Sequence, residues 1–312
     1  MSLEVVTLGE AMALFVASET GPLETVRHFE KRTAGAETNV AVGLARLGLR
    51  VGWVSRLGDD SMGRFLIGEF TREGIDCSHV AIVPGARTGF MFKGRVEDGS
   101  DPPIEYHRKG SAASELQPAE LDLPWLASAR HLHATGVFPA LTTTTLAATR
   151  AAMAHLRAHG RTISFDPNLR PSLWPSSDVM RATLNSLAAQ ADWVLPGLDE
   201  GRQLTGQTTP EDVAAFYRRL GARLVVVKLG AEGAYYDGEA GRGHIPGFAV
   251  NQVIDTVGAG DGFAVGVISG LLAGRAVPDA VRRAAWIGAR AVQVRGDTEG
   301  LPTRDELAAS GL

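Results

Sequence analysis

The chain contains one cysteine, Cys77, in 312 residues. A single thiol cannot close an internal disulfide, and it excludes a disulfide framework and a cysteine-built zinc site. A reducing, cytoplasmic compartment is therefore expected. No stretch approaches the roughly 18 uninterrupted apolar residues of a membrane-spanning helix. The opening MSLEVVTLGEAMALF has no basic start and is broken by Glu4 and Glu10, which argues against a signal peptide. Positive charge is not in excess: 31 Lys and Arg face 35 Asp and Glu, for a net charge of −4. No global field draws nucleic acid or an anionic membrane, so any anion is bound locally. Neither G-x-x-x-x-G-K-[ST] nor G-x-G-x-x-G occurs, which leaves a Walker-type NTPase and a dinucleotide dehydrogenase without support.

What is present is an ordinary globular composition, 45% hydrophobic and 21% charged. At roughly 150 residues per domain the length fits two domains or one large α/β unit. Apolar periodicity predicts strands at 3–8, 51–57, 131–135, 162–166, 193–195 and 224–228. It predicts helices at 39–47, 62–70, 146–159, 179–188, 210–220, 262–272 and 280–294. This alternation implies a mostly parallel sheet covered by helices on both faces, with ligands at the carboxyl ends of its strands. Two stretches break the rhythm: 10–32, and 88–108, which reads as strand, Gly/Asp/Pro turn, strand. They suit a small separate sheet lying over the core as a lid. The expected division is an α/β core of residues 1–9, 36–87 and 111–312, with a discontinuous lid of 10–35 and 88–110.

The most informative segment is Asp255-Thr256-Val257-Gly258-Ala259-Gly260-Asp261-Gly262-Phe263, which leads into an apolar helix. Small residues at a helix start leave backbone N–H groups open to a ligand, so Gly258, Ala259 and Gly260 form a candidate hole for phosphate oxygens. Asp261 sits where that hole meets the helix, placed to receive a hydroxyl proton during attack on phosphorus. An ordinary glycine turn with an N-cap aspartate is the alternative reading. Gly35-Ala36-Glu37-Thr38-Asn39 opens the first helix similarly, and Asn39 could face a sugar hydroxyl or simply belong to a helix cap. His131 and His133 share a strand face, but no further ligand completes a metal set, so core histidines are expected. Cys77, near His79, reads as an inert thiol.

These two segments resemble the signature regions of the ribokinase-like (PfkB) family of carbohydrate kinases, and the likeness runs over essentially the whole chain. It implies a three-layer α/β/α core with a β lid, and ATP-dependent transfer of a γ-phosphoryl group to a sugar hydroxyl. Asp261 is then the base, and ATP, Mg²⁺ and optionally a monovalent cation are the cofactors. By the same resemblance Lys228, Gly230 and Gly233 lie near ATP with Gly258 and Gly260, and Asn168 contacts the phosphate region. Asp255 stands beside the hole, where it could help bind a cation.

Within the family, Tyr106-His107-Arg108-Lys109-Gly110-Ser111-Ala112 and Asp166-Pro167-Asn168-Leu169-Arg170 resemble segments of the 2-keto-3-deoxygluconate kinases. A sugar acid offers a carboxylate that arginine binds through parallel N–H bonds, which suits Arg108 and Arg170, with Tyr106 adding a hydroxyl. Surface solvation or salt bridging is the ordinary fate of a lone arginine. Substrate contacts from Gly35 and Asp297 are also implied, and Arg170 is shared with the nucleotide side. The chain departs from the pattern twice. Gly197-Leu198-Asp199-Glu200 stands where many members have Asn-x-x-Glu, keeping Glu200 near the metal-phosphate region, and Met91 replaces a frequent tyrosine. The implied reaction is phosphorylation of the 6-hydroxyl of 2-keto-3-deoxy-D-gluconate. The rivals are a kinase of fructose, ribose or a related neutral sugar, and a non-catalytic sensor on the same fold. Exposed lid edges suggest a homo-oligomer.

Overall fold

The computed structural model describes residues 3–96 and 102–312. In chain order its elements are β1 (Val5–Leu8), β2 (Met12–Ala17), β3 (Phe29–Ala34), α1 (Ala36–Arg46), β4 (Val51–Gly58), α2 (Ser61–Arg72), β5 (Val80–Val83), β6 (Phe90–Lys93) and β7 (Ile104–His107). There follow α3 (Leu123–Ser128), β8 (His131–Thr135), α4 (Thr143–Ala158), β9 (Thr162–Asp166), α5 (Ser177–Ala188), β10 (Trp193–Val194), α6 (Leu198–Thr205) and α7 (Pro210–Arg219). The last elements are β11 (Leu224–Lys228), β12 (Ala234–Gly238), β13 (Gly241–Ile245), α8 (Ala259–Leu272), α9 (Val277–Ala291) and α10 (Arg304–Ala309).

The main sheet runs β13-β12-β11-β10-β9-β8-β1-β4-β5. Its pairings are parallel from β5 through β11, and β12 and β13 then add antiparallel neighbours. Both faces of the sheet are buried, and alternate residues divide between them. In β11, Val225 and Val227 enter one apolar cluster while Leu224 and Val226 enter the other. Helices α3 to α7 cover the first face through Leu126, Met153, Leu184, Leu204 and Tyr217. Helices α1, α2, α8, α9 and α10 cover the second through Leu44, Phe70, Val267, Ile287 and Leu307. Three layers result. Helix starts are fixed locally, as at α2, where the Asp60 carboxylate accepts from the Gly63 amide at 2.8 Å.

The four-stranded second sheet has the order β3-β2-β6-β7. The antiparallel pairs β2/β3 and β6/β7 are the two expected hairpins, and a parallel β2–β6 contact joins them. Met12, Leu14, Val16, Ala34 and Met91 form a small buried cluster on one face of this sheet. The Gly/Asp/Pro turn expected between β6 and β7 falls largely on residues 97–101, outside the described residues.

The periodicity reading differs from the structure in two ways. Helices α1 and α8 begin three residues earlier than expected, at Ala36 and Ala259, because the small and polar residues read as loops are their first turns. The β12/β13 hairpin, β5, α3, α6 and α10 were not assigned, being short or, in α6 (LDEGRQLT), poor in apolar residues.

Candidate active site

β1 lies between β4 and β8, so successive crossovers leave it in opposite directions across the sheet, and a crevice opens at the strand carboxyl ends there. A cleft of about 520 Å³ occupies this position. Its floor is made by residues at or just after strand ends: Glu10 after β1, Val137 after β8, Asn168 and Arg170 after β9, and Lys228 closing β11. Met12, Met91 and Tyr106 of the small sheet line the other side.

Helix α8 aims its amino end at this cleft. Gly258 precedes its first turn with φ +81, and a Cβ there would stand 2.3 Å from the carbonyl oxygen of Asp297, so only glycine fits. The first intrahelical bond is donated by Gly262 to Gly258. The preceding first-turn amides, those of Ala259, Gly260 and Asp261, are the ones a helix start leaves without intrahelical acceptors. The candidate anion hole thus falls in the first turn of the helix itself, one residue further along than the sequence implied, with the Ala259 amide also reaching the Thr256 carbonyl oxygen at 3.4 Å. Gly35 caps α1 with φ +152, and a Cβ would meet the Glu10 carbonyl oxygen at 2.6 Å.

Asp261 is buried between two amides. Its Oδ2 accepts from Asn39 Nδ2 at 2.8 Å, and its Oδ1 accepts from Asn168 Nδ2 at 3.2 Å. Burial, reinforced by the Asp166 and Asp297 carboxylates, pushes its pKa up to about 8 against the Asn39 hydrogen bond. Asn168 is the one non-glycine residue with positive φ, +40, among the described residues. Such conformations persist where surroundings enforce them. Asn39 also reaches Asp297 Oδ2 at 3.4 Å, while Asp297 Oδ1 is buried with no hydrogen-bond partner among the described residues. Burial raises Asp297 to about 6.

A second cavity of about 340 Å³ adjoins the cleft and shares Lys228, Thr256 and Gly260 with it. It is lined by Gly230 and Gly233 and by the apolar Phe248, Val250, Phe263 and Val292. Lys228 stands at the junction, where its Nζ donates to Asp166 Oδ2 at 2.6 Å. A Cβ on Gly260 would lie 3.5 Å from that Nζ. Burial works against the ammonium, but Asp166, Glu200 and Asp261 outweigh it, and its pKa is raised.

Toward the small sheet, Arg108 Nε donates to Glu10 Oε2 at 2.7 Å, and the Ser111 hydroxyl donates to the other oxygen of the same buried carboxylate. The Arg108 charge is therefore neutralised within the protein. Arg170 is exposed, donates to the Leu169 carbonyl at 2.8 Å, and has no acidic partner among the described residues. Tyr106 is 47% exposed, with the Arg108 guanidinium 5.9 Å from its ring centroid.

Of the candidate cation ligands, Glu200 lines the cleft with both oxygens engaged: Oε1 accepts from the Leu169 amide and Oε2 from the Gly197 amide, each at 2.7 Å. Asp255 meets the Lys93 ammonium at 2.5 Å instead of facing an open cation position. No group of three or more His, Cys, Asp or Glu side chains among the described residues could hold a metal. His131 and His133 are core residues, bonded to Thr162 and Ser164 hydroxyls on β9, and burial drives both pKa values down, to about 3 for His133. Burial raises Cys77 to about 11, which suits an inert thiol. Sequence reasoning assigned no role to Glu10, Lys93 or Asp166. Asp166 carries a local signal, an acid ending a strand beside Pro167 and Asn168.

Residues 2–304 match the profile described as pfkB family carbohydrate kinase. The chain is 50% identical to the 2-dehydro-3-deoxygluconokinase of Bacillus subtilis (strain 168), across 99% of this chain and 95% of that one. It is 36% identical to the enzyme of the same name from Thermoproteus tenax, over 97% and 93%. Among solved structures, a PfkB protein from Polaromonas sp. JS666 superposes with a TM-score of 0.92 at 65% identity, over 99% of this chain and all of that one. An E. coli protein provisionally called ribokinase II, in complex with ATP and Mg²⁺, gives 0.91 at 28% over 98% of each chain. A Vibrio cholerae O395 fructokinase, in fructose, ADP and potassium ion bound form, gives 0.85 at 30% over 99% and 98%. With its three-layer core, its small sheet facing the cleft and its glycine-led helix, the chain belongs to the pfkB family of carbohydrate kinases.

Proposed function

We propose that this kinase transfers the γ-phosphoryl group of ATP to the 6-hydroxyl of 2-keto-3-deoxy-D-gluconate, giving the 6-phosphate and ADP. One observation carries the substrate class: the cleft that holds Asp261 also holds Arg170, a cation without an acidic partner among the described residues. A sugar carboxylate supplies that partner. Arg108, fixed by Glu10, and the Tyr106 hydroxyl flank the same end, while Gly35, Asn39 and Asp297 face the sugar hydroxyls. The relatives named 2-dehydro-3-deoxygluconokinase support the same substrate.

The adjoining cavity suits the nucleotide. Its apolar wall accepts a base and its glycines allow close approach of the backbone, with Lys228 and the α8 amino end toward the phosphates. Mg²⁺ would be carried chiefly on those phosphates, an ion that one or two carboxylates and substrate phosphates suffice to hold. There it offsets phosphate charge, with Asp166 and Glu200 the carboxylates that act on the neighbouring Lys228. Asp261, held by Asn39 and Asn168, takes the hydroxyl proton as the sugar oxygen bonds to phosphorus and the bond to the bridging oxygen of ADP breaks. The proton then leaves to solvent. Ala259 to Asp261 amides and Lys228 stabilise the charge on the transferring group.

Residues 10–35 and 88–110, which carry the small sheet, act as a lid over the cleft, excluding water that would otherwise accept the phosphoryl group. Its edge strands, β7 largely and β3 partly exposed, provide the pairing surface of a homo-oligomer, against which a 33.0 kDa particle in light scattering would count. The single, inert thiol supports a cytoplasmic setting.

The Glu10–Arg108 pair favours a second reading, a neutral-sugar kinase, because it removes one of the two cations from use. A coupled ADP-release assay with the keto-acid, fructose and ribose decides between them. Arg170→Ala is expected to raise KM for the keto-acid about 10- to 100-fold, the worth of a charge-assisted contact, and to leave any neutral-sugar turnover unchanged. An equal change for both classes removes the carboxylate contact.

A further inference from the structure

Lys93 ends β6 on the same face as Met91, two residues earlier, so its side chain leaves the small sheet toward the core. The ammonium is buried, 2.5 Å from Asp255 Oδ2 and 3.9 Å from Asp297 Oδ1. Asp255 in turn accepts from the Val257 amide at 3.1 Å and from the Gly296 amide at 3.2 Å. Val257 adjoins Gly258, and Gly296 adjoins Asp297. One carboxylate therefore links the turn ahead of the anion hole, the backbone leading to a cleft aspartate, and the small sheet. The one ammonium thus faces both buried carboxylates and offsets the cost of burying their charge. The family resemblance points to a metal ion beside the hole, and the Vibrio cholerae fructokinase was solved with potassium. Here the position against Asp255 is already filled by an ammonium, which is monovalent and covalently held.

We infer that Lys93 is a positioning residue that supplies the monovalent charge at Asp255, making phosphoryl transfer independent of added potassium and fastening the small sheet to the turn that forms the anion hole. It touches no reacting atom. Its effect runs through Asp255 to Val257 and Gly258, whose placement sets the distance from the first-turn amides to phosphorus. The inference uses the kinase reading only for its activity measurement.

The test compares potassium, sodium, ammonium and choline chlorides at one ionic strength. The unsubstituted enzyme, assayed with ATP and whichever sugar it turns over, is expected to show the same kcat within about twofold in all four salts, as a preorganised charge requires. Its melting temperature without ligands is expected to be equally indifferent. Lys93→Met is expected to lose kcat by about tenfold or more through misplaced amides. Part of that loss should return with potassium or ammonium but not with choline, and the same two ions should raise the variant's melting temperature selectively. Activation of the unsubstituted enzyme tenfold or more by potassium overturns the inference. So does a Lys93→Met protein that melts cooperatively yet shows no selective response to small cations in either measurement. If Lys93→Met does not fold, Lys93→Arg takes its place: it keeps the charge, so salt-indifferent turnover is expected, and new potassium dependence overturns the inference. The melting measurement needs no sugar, so a wrong substrate leaves it readable.

Discussion

The two cavities that meet at Lys228 are built on different principles. The nucleotide-side cavity is apolar and glycine-lined, and all of its lining residues come from positions 228–292. The sugar-side cleft is polar and gathers residues from position 10 to position 297, including the small sheet. The first suits a donor shared by many kinases, and the second carries what distinguishes one acceptor from another. Substitutions in the first should therefore affect every sugar alike, and those at the arginine end of the second should discriminate. Asp261 lines the cleft immediately after Gly260, a residue shared by both cavities, and as the proposed proton acceptor should behave like neither.

The sharpest way to break this comparison is at that residue. Asp261→Asn keeps the shape and one of the two amide contacts, its own NH2 now facing the other donor, and cannot accept a proton. Turnover is expected to fall about 10³-fold, within the range for removal of a general base, while calorimetric affinities for ATP and sugar stay within about twofold. Unchanged turnover removes Asp261 from proton transfer, and lost affinity for one ligand alone assigns it to that side. The next largest effect is the pH dependence. With Asp261 raised to about 8 in the free enzyme, kcat/KM is expected to fall about tenfold per pH unit below 8 and to level off above it. A profile flat to pH 6 would mean that the carboxylate is ionised in the free enzyme and that the burial argument fails.

The same contrast governs what could be read from sequence. The glycine turn and Asp261 occupy consecutive positions, so their placement together at the cleft was legible from a small-residue run before an apolar helix, although an ordinary N-cap turn has the same local pattern. The parallel core was legible too, since strands buried on both faces are continuous apolar runs, and the ends of β8, β9 and β11 were placed without error. The acceptor side depends on long-range pairs. Arg108 and Glu10 are 98 positions apart, and Lys93 and Asp255 are 162 apart. Nothing local marks Glu10 or Lys93 as a partner. Neither was given a role, while Asp255 and Arg108 were assigned to external ligands that these side chains partly replace. The β12/β13 hairpin went unassigned for a related reason: it is short, and its pairing with β11 is a tertiary fact.

The smallest expected effect concerns stability and needs no substrate. In the folded protein Asp261 holds its proton up to about pH 8, whereas the same group in an unfolded chain ionises near the ordinary aspartate value of 3.8. Between these values the native state binds more protons than the unfolded state, so this residue's contribution to stability is complete below the lower value and is lost as pH rises toward the upper. Asn at position 261 does not titrate. Relative to its parent, the Asp261→Asn protein is therefore expected to melt highest at pH 8, and that relative gain shrinks steadily as pH is lowered toward 4, on top of a pH-independent cost for the one amide contact it gives up. Calorimetry or dye-based melting across that range measures the difference. A constant difference would trace the gain to packing and would place the Asp261 pKa near that of an ordinary carboxylate. A difference that shrinks toward low pH would show that the folded chain bears a cost for poising this acid between Asn39 and Asn168, as expected of a site arranged for proton transfer at the expense of stability.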